Sequence, residues 1–174
     1  SEQNYDNRRG LKISGSGSAG GGIYDNIKIS GSGVVRGNVE CRFLSISGSG
    51  KIEGSIKAEE IKVSGSGKFE GSTSAGSISV SGGTKFLEDL YCNSISTSGS
   101  CKVEGKLRAE QIRVSGALSV NKRLEAENIS LSGVLKAFEL EAEEFKGSGI
   151  FNIQELLTAD NIDIELGGKC EAKE

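Results

Sequence analysis

"ISGSGKIEGSIKAEEIKVSGSGKFEG", residues 46–71, combines two patterns that normally exclude each other. Ser-Gly-Ser-Gly is the composition of a flexible linker. In this stretch, however, it alternates with apolar residues and returns after 17 residues, at Ser47 and again at Ser64. Because a flexible linker has no physical reason to keep a fixed phase, the stretch indicates a repeating structural unit.

The same unit recurs along most of the chain. A Ser-Gly dipeptide follows an apolar residue or threonine in a series of frames whose spacing is 16 once and then 17 six times. The serines of these frames are Ser14, Ser30, Ser47, Ser64, Ser81, Ser98, Ser115 and Ser132. After a one-residue deletion, Gly147 and Ile164 continue the phase, so the chain offers about ten repeats. Self-similarity at a fixed period is the sequence signature of a solenoid or a related repeat architecture.

Within one repeat, apolar and small residues occupy alternate positions. From residue 46 they are Ile46, Gly48, Gly50, Ile52, Gly54, Ile56, Ala58, Ile61 and Val63. Period two is typical of strands, and the repeat has no segment long enough for a crossover helix. We therefore predict an all-β fold, a single-stranded parallel β-helix (a solenoid) of about ten coils of 16–17 residues. Its length would be roughly 48 Å at a strand spacing of about 4.8 Å.

Stacking of such coils in register predicts columns of equivalent residues. The Ser-Gly glycines would form an inward column that approaches large residues of the opposite wall. A bulky inward column would contain Ala19, Val35, Ile52, Phe69, Phe86, Val103 and Val120. A second small column, at a corner, would contain Cys41, Ala58, Ala75, Cys92, Ala109, Ala126, Ala142 and Ala159. Outside, Lys51, Lys68, Lys85 and Lys102 would form a ladder beside Glu53, Glu70 and Glu104, whose charges offset the lysine repulsion.

Composition narrows the range of functions. The 174 residues carry a formal net charge of -3, which favours neither nucleic acid nor any other strongly charged partner. There is no proline, so nothing forbids strand pairing, and no histidine, the commonest general base and metal ligand. The four cysteines, at 41, 92, 101 and 170, lack CxxC spacing and are expected to be small buried residues in a reducing compartment. The sequence contains no apolar run of 18 residues and no charged-then-apolar start, so we expect neither a membrane span nor a secretory signal.

Three motifs could carry chemistry, and each has a simpler explanation. "SGSGK" at 47–51 lacks the upstream glycine and the following serine or threonine of a phosphate-binding loop. "ELEAEEF" at 139–145 lacks the turn glycine of a calcium loop, so a solvated acidic face explains it. Outward serine rows would suit ice binding only if they were threonines without charged neighbours. We therefore expect no catalytic residue, cofactor, metal, nucleotide or nucleic acid, and no enzymatic activity.

The two ends of a β-helix present unpaired strand edges, and the sequence shows no capping helix. We predict a disordered polar arm at 1–10, a β-helix domain at 11–169 and a polar tail at 170–174. The terminal coils offer a polymer interface whose members are Leu11, Ile13, Ile23, Ile27, Phe151, Ile153, Ile162, Ile164 and Leu166. Ile164→Lys or Leu166→Lys should then shorten polymers without unfolding the helix. The alternatives are a non-polymerising solenoid scaffold, monomeric or dimeric, whose tails such as "CEAKE" cap the ends, and an engineered or secreted solenoid.

Units of the form I-S-G-S-G-x-(V/I/F)-x-G-x-(I/V)-x-(A/C)-x-x-(I/L)-x-(I/V), as at 29–46, 46–63 and 97–114, resemble the bactofilins. The resemblance runs from about Gly10 to Gly168. It implies a right-handed β-helix that assembles end to end, without nucleotide, into bacterial cytoskeletal filaments. It also implies a cytoplasmic scaffold at the inner face of the membrane. The implied partners are other copies of the chain, a bactofilin-like paralogue and membrane-associated proteins.

Overall fold

The computed structural model describes residues 9–164 and 169–172, and the only regular structure in these ranges is parallel β-strand. The strands are β1 (Arg9–Ile13), β2 (Ser16–Ile29), β3 (Ser32–Ile46), β4 (Ser49–Ile52), β5 (Ile56–Val63), β6 (Ser66–Phe69), β7 (Thr73–Val80), β8 (Gly83–Phe86), β9 (Leu90–Thr97), β10 (Ser100–Val103), β11 (Leu107–Val114), β12 (Ala117–Leu131), β13 (Val134–Gly147), β14 (Ile150–Ile164) and β15 (Lys169–Ala172).

These strands wind into a solenoid of about nine turns, so the predicted all-β solenoid fold is confirmed. We number the turns as coils 1 to 9, and their residues are 16–29, 32–46, 49–63, 66–80, 83–97, 100–114, 117–131, 134–147 and 150–164. The strands β1 and β15 add part of a turn at the two ends, which accounts for the difference from the ten coils predicted. The first strand begins at Arg9, whereas most of the predicted arm, residues 1–8, lies outside the described part of the chain. The predicted domain boundaries stay a prediction.

Each coil has three short walls, as coil 3 illustrates. Strand β4 is the first wall, and β5 supplies the second wall at 56–58 and the third wall at 60–63. Alternate side chains along these walls are buried, and the alternation breaks where Glu59 and Glu60 are both exposed. This break, the segment 53–55 and the Ser64–Gly65 dipeptide are the three corners of the coil.

Equivalent residues of successive coils face each other, so the predicted columns form. Phe69 faces Phe86, for example, with ring centroids 4.7 Å apart and nearly parallel planes. The bulky column and the second small column both have the predicted members. A further inward column on the third wall is buried in every coil up to coil 8: Ile27, Leu44, Ile61, Ile78, Ile95, Ile112, Ile129 and Phe145.

On the first wall, the larger of the two inward side chains changes position along the solenoid. Coil 4 has Gly67 and Phe69 there, whereas coil 7 has Leu118 and Val120. A methyl group added to Gly67 would lie 3.3 Å from Phe69 Cε2, so the aromatic ring already occupies the space that a larger residue would need. Protein interiors are close-packed, so coils 4 and 7 shift the larger residue from one position to the other. Coil 9, at the end of the described stack, has large residues at both positions, Phe151 and Ile153.

The Ser-Gly glycines are placed differently from the prediction. Gly48 is half-buried at a corner, and an added Cβ there would lie 2.1 Å from the carbonyl oxygen of Gly31. The glycine is therefore required by close contact with the backbone of the preceding coil, and not by large residues of the opposite wall. The first member, Gly15, has no described atom within 4 Å of an added Cβ because no described coil lies below it.

The outward lysine ladder is confirmed. Lys51 forms an ion pair with Glu70 at 3.3 Å, and Lys85 forms one with Glu104, also at 3.3 Å. Each pair joins one coil to the next, so unlike charges bridge the stacked walls. Exposed pairs of this kind contribute about 0.2–1 kcal/mol each.

Candidate functional site at the ends of the solenoid

The N-terminal end of the described solenoid presents an open strand edge. Strand β1 pairs with residues 24–29 of β2 and so covers only the third wall of coil 1. Residues 16–23 of β2 pair with β3 on one side and with no described strand on the other. Backbone N–H and C=O groups along such an edge are available to pair with another chain.

The C-terminal end is open in a complementary way. Strand β15 pairs with residues 150–153 and covers only the first wall of coil 9. Residues 155–164 pair with β13 below and with no described strand above. Each end therefore has one covered wall and two walls that present an unpaired edge.

A core position becomes exposed at this second end. Ile162 belongs to the inward column of the third wall, where Phe145 in coil 8 is 2% exposed, but Ile162 itself is 50% exposed. The difference arises because no described coil covers Ile162. Stacking another coil on this end would bury an isoleucine side chain that the described chain leaves half in water.

The predicted interface residues divide between the two ends. Leu11 packs half-buried against the core, Ile13 and Ile27 are buried, and Phe151 and Ile153 are buried beneath β15. Ile162 is exposed as described above, while the side chain of Ile164 and all of Leu166 lie outside the described part of the chain. Ile23 also differs from expectation: it faces Glu40 in an outward column because a bulge between Gly20 and Gly22 shifts the register. The interface itself stays a prediction.

The sequence analysis missed exposed apolar side chains in the last two described coils. On the outer face of the first wall, the serine column that includes Ser49 and Ser66 becomes Ala117, Val134 and Ile150. Ile150 is 50% exposed and Phe138, which follows the first wall of coil 8, is 42% exposed. The replacement of serine by apolar residues at this repeat position is visible in the sequence and would have indicated these exposed side chains.

The described residues include buried thiols but no candidate metal site. No group of three or more Cys, Asp or Glu residues there is placed to hold a metal ion. Cys41, Cys92 and Cys101 are buried, as predicted, and Cys92 and Cys101 are free thiols, while the side chain of Cys170 lies outside the described part of the chain. Burial raises the pKa of Cys92 and of Cys101 to about 12, so these thiols stay protonated and unreactive at neutral pH. The described part of the chain has no helix, and hence none long and apolar enough to cross a membrane.

Comparison with known proteins identifies the family. A family model described as Bactofilin, polymer-forming cytoskeletal, matches residues 4–90, which reach the start of the second wall of coil 5. No curated protein and no solved structure matches the chain. The family match covers 87 of the 174 residues, and the same solenoid continues without interruption to coil 9. The chain therefore belongs to the bactofilin family of polymer-forming cytoskeletal proteins.

Proposed function

We propose that this protein assembles end to end, without nucleotide, into filaments that serve as a structural scaffold and not as an enzyme. The single observation that carries the proposal is Ile162, a core-column residue that is half-exposed because no described coil covers it. The two open strand edges support it, since their backbone groups gain partners when another coil stacks on them. Gly15 supports it too, because it keeps the glycine that stacking requires although no described coil lies below it.

The polymer-forming cytoskeletal description of the family supports the same function. We place the filaments in the cytoplasm, at the inner face of the membrane, where they would recruit membrane-associated proteins or a bactofilin-like paralogue. The free buried thiols of Cys92 and Cys101 agree with a reducing compartment.

Negative-stain electron microscopy of the purified protein, without nucleotide, tests the proposal. We expect filaments whose length depends on protein concentration. Discrete small particles at every concentration would contradict end-to-end assembly and favour a capped binding scaffold.

The variant Ile162→Lys tests the end contact directly. Burying an unpaired ammonium group in a stacked interface costs several kcal/mol, so the protein concentration needed for filaments should rise by roughly 100-fold, since about 1.4 kcal/mol is a factor of ten. Tyr91→Lys is the matched control, because Tyr91 is 44% exposed on the side of coil 5, in the middle of the described stack. Unchanged filaments in Ile162→Lys, with a normal β-sheet circular dichroism spectrum, would count against this end as an interface.

A further inference from the structure

Two columns of like charge run along opposite sides of the solenoid. The lysine column, on the first wall of coils 3 to 6, consists of Lys51, Lys68, Lys85 and Lys102. The acidic column consists of Glu110, Glu127, Glu143 and Asp160, which are all exposed in coils 6 to 9. Each acidic residue follows a member of the stacked alanine column, at the corner between the second and third walls. In a coil with three walls, that corner lies opposite the first wall.

The acidic column lacks ion-pair partners among the described residues, since Arg108, which lines the same groove, pairs with Glu125. None of its four carboxylates forms an ion pair there, whereas the nearby Glu125 and Glu141 are both bound by Arg123. Like charges about 4.8 Å apart repel by roughly 1 kcal/mol even at the dielectric constant of water. A cationic partner would relieve this repulsion, and its binding to the acidic column would therefore be favourable.

The lysine column is only half neutralised. Lys51 and Lys85 bind glutamates of the next coil. Lys68 and Lys102 form no ion pair with any described residue and are exposed. Two lysines of this wall are therefore available to an external carboxylate without breaking an internal pair.

The two columns share one axial repeat, because each supplies one charge per coil. A second copy of the chain lying alongside presents carboxylates at the spacing of the lysines, about 4.8 Å. A partner whose charges have a different axial spacing would fall out of register with the column after a few charges. A groove beside the acidic column has a floor of Ala109, Ala126 and Ala142, where the methylene stems of incoming lysines could lie.

We propose that copies of this protein associate side by side, with the lysine column of one copy against the acidic column of the next. Since the columns lie on opposite sides, each copy keeps one of them free, and repetition produces an open ribbon of parallel rods. Each exposed pair contributes only about 0.2–1 kcal/mol, so the contact is weak between single molecules and accumulates along filaments. To that extent it rests on the end-to-end assembly proposed above.

Charge reversal tests the contact. Parallel copies must be offset by three coils for the columns to meet, which places Lys68 opposite Glu127 and Lys102 opposite Asp160. K68E/K102E reverses the two unpaired lysines, and E127K/D160K reverses the two acidic residues that face them. Neither variant disturbs an internal ion pair between described residues. At about 50 mM salt we expect wild-type ribbons several rods wide, and at about 500 mM, where charges are screened, single filaments. Each variant alone should form single filaments at the lower salt. An equimolar mixture of the two variants should restore ribbons, because the reversed columns are again complementary.

K28E/K62E is the matched control. It makes the same change in net charge on the third wall, at two exposed lysines without an ion pair to a described residue, and should keep ribbons of wild-type width. Filament width measures the side contact and filament length measures the end contact, so the two proposals fail separately. Ribbons of wild-type width in K68E/K102E, or an equal loss of width in K28E/K62E, would overturn the side-by-side contact. Single wild-type filaments at low salt would overturn it as well.

Discussion

Two adjacent glycines, Gly82 at a corner and Gly83 at the start of the next wall, meet different surroundings. A Cβ added to Gly82 would lie 2.0 Å from the carbonyl oxygen of Gly65 in the coil below. A Cβ added to Gly83 would meet nothing within 4 Å. Neither residue has a positive φ, so backbone conformation does not distinguish them. The Ser-Gly frame persists because one of its positions is in backbone contact with the preceding coil.

Alanine substitution at these two positions should therefore have opposite effects. Gly82→Ala forces two coils apart and should lower the free energy of unfolding by about 2 kcal/mol or more. Gly83→Ala should leave it unchanged or raise it by about 0.4–1 kcal/mol, because the unfolded chain loses freedom. Urea unfolding followed by circular dichroism, with both changes made in the Ile162→Lys background to limit assembly, measures the difference. Equal midpoints would refute the close contact.

At the scale of the wall, the paired positions 67 and 69 behave as one packing unit. Gly67 leaves room for the ring of Phe69, and that ring stacks on Phe86 in the coil above. The reversed arrangement in coil 7, Leu118 with Val120, fills a first wall of the same kind with the bulk shifted by two residues. The change from "SGSG" repeats to leucine-containing ones is thus a change of packing within one fold.

A double-mutant cycle tests this exchange of volume. Phe69→Val should cost about 2–4 kcal/mol by leaving a cavity, and Gly67→Leu alone should cost about 1–3 kcal/mol by overpacking. Combined, the two changes reproduce the coil 7 arrangement. The double variant should lose less stability than the sum of the two single losses, with a favourable coupling of about 1 kcal/mol or more, which is within the usual range for residues in contact. Thermal unfolding of the four proteins gives the coupling. Simple additivity would mean that the two positions do not share space.

The sequence predicted the columns because alternation and a 17-residue period are both visible along the chain. It did not predict the contact of Gly48 with Gly31, since spacing along a chain gives no distance between coils. Ile23 was misplaced for a local reason: the bulge at Gly20–Gly22 reverses the side on which it lies. At the ends, apolar composition suggested the candidate interface, but only the structure distinguishes Ile162, which is exposed, from Phe151 and Ile153, which β15 covers.

At the scale of the whole molecule, the described residues form a stack of nine similar coils in which each coil contacts mainly its neighbours. The free energy of unfolding of such a stack is approximately the sum of the intrinsic stability of each coil and of the contacts between neighbouring coils. No single coil is therefore indispensable. The two ends, by contrast, are unlike each other and unlike the interior. Length and assembly should therefore be separable: interior coils determine the length of the rod, and terminal coils determine whether rods join.

Deletion of residues 66–82, one complete 17-residue repeat, tests that separation. Coil 3 would then be followed directly by β8, Phe86 would stack on Ile52, and every later column would keep its register. We expect a folded protein that still forms filaments, with the subunit repeat along the filament axis shortened by about 4.8 Å. Deletion of residues 66–73 is the control, because it removes a first wall and a corner and leaves a coil that cannot close, so the β-sheet signal should be lost. Filaments whose repeat is unchanged by the 17-residue deletion would show that the coils do not stack along the filament axis.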